Sequence, residues 1–91
     1  MYNGWNNYET WSAALWIGSE PCSYDYWMDE ARKAKDAREL ADQMRNEFEE
    51  IMPELPAGLW SDLLTAAFDE IEWYEIAKAK MDEVKEDEDI C

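Results

Sequence analysis

The stretch Asn6-Asn7-Tyr8-Glu9-Thr10-Trp11-Ser12-Ala13-Ala14-Leu15-Trp16-Ile17-Gly18 constrains this chain more than any other, because it sets a helix start, three large aromatic rings and a helix stop within one short segment. Asn7 is suited to accept the first free backbone N–H groups as an N-cap. Glu9 places negative charge at the positive end of the helix dipole, and Gly18 supplies the left-handed residue that closes many helices. Helical spacing puts Tyr8, Trp11 and Leu15 on one face with Ala14 beside them, and Trp16 and Ile17 widen that stripe. A helix this short and this aromatic is not stable alone in water, so the rest of the chain, or a partner, has to cover it.

Downstream periodicity is helical throughout. Glu20-Pro21 ends the first helix, since the residue before proline avoids helical geometry. Ser23 is placed to cap a second helix over Tyr24, Trp27, Met28, Ala31 and Ala34. Trp27, Ala34, Ala41 and Phe48 recur every seven residues, as do Ala37, Met44 and Ile51, which favours one continuous helix from Tyr24 to Met52. A competing reading breaks it near Lys35, where Asp36 and Glu39 have capping-box spacing. Met52-Pro53-Glu54-Leu55-Pro56-Ala57-Gly58 reads as a loop. Leu59, Trp60, Leu63, Leu64, Ala67, Phe68 and Ile71 then form an apolar stripe expected to be the central buried helix. Trp73, Ile76, Ala77, Met81 and Val84 give the last helix one apolar face. The expected fold is all-α, a single-domain bundle of four or five helices over residues 1–91, with an N-terminal arm at 1–7 whose Asn3-Gly4 makes a turn and whose Tyr2 and Trp5 fold back. The acidic tail at 86–91 is expected to fray. Trp11, Trp27, Trp60 and Trp73 fit core stripes; Trp5 and Trp16 lie off them and are candidates for an exposed aromatic interface.

Charge narrows the function. Asp and Glu number 23 against 8 Lys and Arg, for a formal charge of −15. Phosphate contacts need the Lys and Arg that this surface lacks, so neither free nucleic acid nor an anionic membrane is an expected partner. A basic protein surface is. With no His and only Cys22 and Cys91, no Ser-His or Cys-His nucleophile can form, and no zinc-finger or disulfide framework is spelled out. No metal, cofactor or catalytic residue is assigned. Neither a signal peptide nor a membrane span is legible, which suggests a cytoplasmic setting.

On helices, carboxylates three, four or seven residues apart lie about 5 to 10 Å from one another, comparable with successive phosphates along a DNA strand. Such rows are formed by Asp25 and Asp29, by Glu39, Asp42, Asn46 and Glu50, by Glu47, Glu50 and Glu54, and by Glu75, Asp82 and Glu86. They are the candidate partner-binding residues if the protein mimics DNA; solubility is the plainer account of the same charge. Arg32, Lys33, Lys35 and Arg38 are expected to pair with neighbouring acids rather than hold phosphate.

Tyr2-Asn3-Gly4-Trp5, Asn7-Tyr8-Glu9-Thr10-Trp11 and Leu15-Trp16-Ile17, followed by Gly58-Leu59-Trp60-Ser61-Asp62-Leu63-Leu64 and Trp73-Tyr74-Glu75-Ile76-Ala77, resemble a family of small uncharacterised proteins of bacteriophages and mobile elements. The resemblance implies a role in the cytoplasm of an infected bacterial cell and supplies no catalytic residues. It also implies a length-tolerant turn near residues 33–38. With the charge pattern, it points to a non-enzymatic inhibitor of a host defence or DNA-binding protein, of antirestriction or anti-CRISPR type. The alternative is a small adaptor that binds through its aromatic surface.

Overall fold

The computed structural model describes the backbone of residues 2–90 and side chains as far as Glu86. Met1, Cys91 and the side chains of the tail, on which fraying is expected, lie outside the described residues. Five α-helices follow in order: α1 (Tyr8–Ser19), α2 (Pro21–Lys33), α3 (Ala37–Glu50), α4 (Leu59–Glu70) and α5 (Trp73–Ile90). Among the described residues there is no strand, only an isolated bridge between Tyr2 and Trp5. The Asn3-Gly4 turn makes that bridge: both residues have positive φ, +47° and +90°, as a two-residue hairpin turn requires. Tyr2 and Trp5 exchange backbone hydrogen bonds of 2.6 and 2.8 Å across it.

The local start signals behave as physical chemistry dictates at two helices. Asn7 caps α1 by accepting the Thr10 N–H at 2.8 Å, and Asp36 caps α3 by accepting the Glu39 N–H at 2.9 Å. Glu39 reaches back to the Lys35 N–H at 3.2 Å. This cap overturns the continuous helix from Tyr24 to Met52. The sevenfold recurrence survives because α2 and α3 fold against the same neighbour, not because they are collinear. Two other expected signals are also corrected. Gly18 lies within α1 and lacks positive φ; extended Glu20 (φ −88°, ψ 125°) ends that helix and begins the next. Pro21 occupies the opening turn of α2, where its missing N–H costs nothing, so Ser23 is not the cap.

The centre of the bundle is α5, packed on α1, α2 and α3. Trp73, Ile76, Ala77, Lys80 and Val84 are buried along one stripe of it and meet Trp27, Met28 and Ala31 of α2, Leu40, Ala41 and Met44 of α3, and Ile17 of α1 in one cluster. A column of rings crosses this core: Trp27 stacks on Phe48 (centroids 5.9 Å), Phe48 on Trp73 (5.5 Å), and Trp73 meets Phe68 of α4 at a tilt (5.6 Å). Lys80 is buried yet satisfied. Its stem lies in the core, and its ammonium sits 4.5 Å from the centre of the Tyr24 ring and 3.2 Å from Glu83.

The face that α1 buries is not the expected one. Thr10 and Ile17 are buried, with Ala13 and Ala14 beside them, whereas Tyr8 and Leu15 are exposed and Trp11 is half-buried against Tyr2. Polar geometry decides this register. Thr10 Oγ1 accepts the Glu72 N–H at 2.9 Å, Asn7 Nδ2 donates to the Glu70 carbonyl at 2.8 Å, and the Asn6 backbone N–H donates to Glu75 at 3.1 Å. Asn6 Nδ2 also donates to Glu72. The Asn6-Asn7…Thr10 segment therefore clasps the corner between α4 and α5, satisfying backbone groups that a helix end leaves unpaired.

Candidate interaction surface

α4 is not the central buried helix. It packs against α1, and of its residues only Phe68 is buried. Trp60 is 72% exposed, Leu59 67% and Leu63 50%, and across from them on α1 Trp16 is 70% exposed. The apolar residues of α4 wrap more than half its circumference. Contact with α1 and with the Trp73 ring covers only the Phe68 side of that arc. Trp60 is thus a surface residue, while Trp16 matches its expected exposure. Trp5 is half-buried and packed on the core cluster, which corrects its place among the exposed aromatic candidates.

The hydrogen bond between Asn7 and the Glu70 carbonyl fixes the start of α1 beside the end of α4. Between them lies an open groove of about 270 Å³, lined by Tyr8, Glu9, Ser12, Ala13 and Trp16 of α1 and by Leu64, Ala67, Phe68 and Ile71. Trp60 lies one turn before Leu64 on the same helix face, just outside the residues that line the groove. A second apolar hollow shares Ala13, Phe68 and Ile71 with the groove and ends on Ile51, which is 72% exposed.

The nine acidic candidates divide into two groups. Asp29 is ion-paired with Arg32 at 3.0 Å, and Asp82 approaches Lys78 at 4.0 Å. Glu47 accepts from the Tyr26 hydroxyl at 2.7 Å and from Gln43 at 2.8 Å. This hydrogen bond to a carboxylate pushes the Tyr26 phenol up to about 12. Glu75 holds the Asn6 N–H. Among the described residues the carboxylates of Asp25, Asp42, Glu50, Glu54 and Glu86 have neither ion pair nor hydrogen bond. Asp42, Asn46 and Glu50 do form one exposed row along α3, whereas Asp25, Glu54 and Glu86 lie on α2, the following loop and the far part of α5. The basic cluster behaves as expected where its pairs are seen, Arg32 with Asp29 and Lys33 with Glu30 at 3.3 Å. The Glu30 carboxyl is held below its ordinary value by the Gln43 amide and then by Lys33.

Among the described residues no three His, Cys, Asp or Glu side chains are grouped so as to hold a metal ion, and no helix is long and apolar enough to cross a membrane. Leu59, Trp60, Leu63 and Ile51 are the interface candidates that sequence reasoning missed. The usable signal was the width of the α4 arc, which exceeds what one neighbouring helix covers.

Fold and surface define a small all-α bundle with an acidic exterior and one uncovered aromatic face. The chain belongs to the family of unknown function DUF7249, whose model matches residues 1–89. No curated protein and no solved structure matches it.

Proposed function

We propose that this is a non-catalytic binding protein that grips another protein through the aromatic face made by α4 and the end of α1, with its acids steering it to a basic surface. The observation that carries this reading is the exposure of Trp16, which lines an open apolar groove, together with that of Trp60, Leu59 and Leu63 on the adjoining helix, since the few residues that carry most of the energy of a protein interface are enriched in Trp. The biological setting we propose is that of the phage and mobile-element proteins it resembles: an inhibitor, in the bacterial cytoplasm, that occludes a nucleic-acid-binding host defence protein of the restriction or CRISPR kind.

A second reading, DNA mimicry, is supported by the exposed, unpaired Asp42 and Glu50 on α3. One experiment separates the two. Proteins retained from bacterial lysate by the wild type are compared with those retained by a Trp16→Ala/Trp60→Ala variant and by an Asp42→Asn/Glu50→Gln/Glu54→Gln variant. The aromatic reading expects the first variant to lose the wild-type partner and the second to keep it at reduced affinity. The reverse result, with competition by DNA, establishes mimicry instead; retention by both variants refutes both readings.

A further inference from the structure

We infer that the groove between α1 and α4 seats one amphipathic helix of the partner, about three turns long, apolar on its inward face and edged with Lys or Arg. This rests on the binding-protein reading and names the element that is bound. Tyr8, Ser12 and Trp16 form one ridge, spaced by four residues, and Leu64, Ala67 and Ile71 form the facing ridge, which Trp60, one turn before Leu64 on the same helix face, continues past the groove. Ridges of this spacing are the surface against which helices pack. Ser12, Ala13 and Ala67 keep the space between the aromatic walls shallow enough for a backbone to approach closely. At 1.5 Å per residue the α4 ridge spans about 16 Å, the length of roughly eleven helical residues.

Charge selects the occupant. No Lys or Arg occurs from residue 1 to 31 or from 46 to 77, so neither wall carries a basic side chain of its own; the Arg45 guanidinium of α3, which lies 5.1 Å from the centre of the Phe68 ring, is paired with Asp69 of α4 at 3.7 Å. Glu9 lines the groove, Glu70 ends the α4 wall, and Glu20 follows the end of α1. A second copy of this chain, related by a twofold axis, would set one acid-edged patch against another. A helix with basic edges pairs with those acids. The chain's own arm is excluded because Tyr2 packs on Tyr8 and Trp11, and the acidic tail is excluded by its charge. The described part of the bundle has no sheet and so offers no strand edge for an extended segment to join, while an apolar groove between two helices is the surface that takes an amphipathic helix by its apolar face.

The test is titration of the full chain with a synthetic amphipathic Leu/Lys helix of about 14 residues, read by tryptophan emission and by calorimetry. Two controls have the same length: a scrambled Leu/Lys peptide and a Leu/Glu helix. The Leu/Lys helix should bind saturably and one-to-one, shift the emission to the blue, and weaken as salt rises. Affinity should fall by about tenfold or more in Trp16→Ala and in Trp60→Ala, and by a smaller factor in Glu9→Gln/Glu70→Gln, with circular dichroism unchanged. Equal binding of the scrambled peptide, indifference to Trp60→Ala, or no binding at all overturns the inference. So does sedimentation showing a wild-type dimer that Trp60→Ala dissociates. If the helix fails to bind while the Trp16→Ala/Trp60→Ala variant still loses its lysate partner, the helix falls and the binding-protein reading stands; if that variant keeps the partner, both fall.

Discussion

α4 and α5 are neighbours in the chain and sort burial in opposite ways. α4 carries Leu59, Trp60, Leu63, Leu64 and Phe68 and buries Phe68 alone; α5 is crowded with Glu, Asp and Lys, yet Trp73, Ile76, Ala77, Lys80 and Val84 are all buried. The difference lies in arrangement. On α5 the buried positions fall in one narrow stripe, which three neighbouring helices cover from different sides, while its described charges other than Lys80 lie outside that stripe. On α4 the apolar arc is wider than its main neighbour α1, with the Trp73 ring at Phe68, can cover. Total apolarity thus measures how much surface a helix could bury. The stripe's width and the number of neighbours decide how much it does bury, and the remainder on α4 is the surface available to a partner.

The comparison breaks first in the core. Leu40 and Met44 are 0% exposed where α3 meets α5, and Leu40→Ala or Met44→Ala should cost about 2–5 kcal/mol. Urea denaturation measures this. Near-wild-type midpoints would mean that α3 and α5 do not form the stable half.

Next is the clasp that joins the two helices. Thr10→Val keeps the shape but leaves the Glu72 N–H without its acceptor at the α4–α5 corner, at a cost of about 1–3 kcal/mol. An unchanged stability would show that water replaces the hydroxyl. Asp36→Ala removes the cap that separates α2 from α3 and should cost about 1 kcal/mol; a gain in helicity and stability would instead revive the continuous helix.

These sites mark what was legible. Asn7, the Asn3-Gly4 turn, the Pro53–Gly58 loop and the stripe of α5 could be read because their causes are local: a cap, a positive φ, a missing N–H, a 3.6-residue period. The burial of Thr10 over Tyr8 and Leu15 could not, because its cause is a hydrogen bond to a backbone group 62 residues away. The Asp36 break was legible as one of two readings, and the heptad pattern outweighed it only because both helices contact α5. The exposed aromatic site was half legible: Trp16 stood off the stripe, whereas Trp60 looked like core until the neighbours of α4 were known.

A smaller effect concerns pH. Burial pushes the Glu83 carboxyl up, but hydrogen bonds from Tyr24 and Lys80 outweigh it and leave it below its ordinary value of 4.5. A depressed carboxyl binds its proton less readily when folded, so its contribution is present above pH 4.5 and is lost as pH falls through the folded value. For a partly exposed group that contribution is about 0.2–1 kcal/mol. Glu83→Gln should therefore flatten the acid limb of the stability curve, and an identical limb would show that the network around Lys80 is not what acid breaks.

The smallest expected effect sharpens the comparison most. Leu and Gln have nearly equal helix propensity, so Leu63→Gln on the exposed face of α4 changes surface and little else. Substitutions at such positions usually stay within about 0.5 kcal/mol, and the melting temperature should be unchanged at every protein concentration. Trp60→Gln should behave similarly, with a slightly larger loss from its bulk against neighbouring turns. Because Leu40→Ala is costly in the same assay, a null result here cannot be blamed on an insensitive method. If Leu63→Gln instead destabilises by about 2 kcal/mol or more, the side chain is buried in solution. A concentration-dependent loss would then assign the cover to a second copy, and a concentration-independent one to the chain itself; in either case the α4 face would no longer be the free half of the molecule.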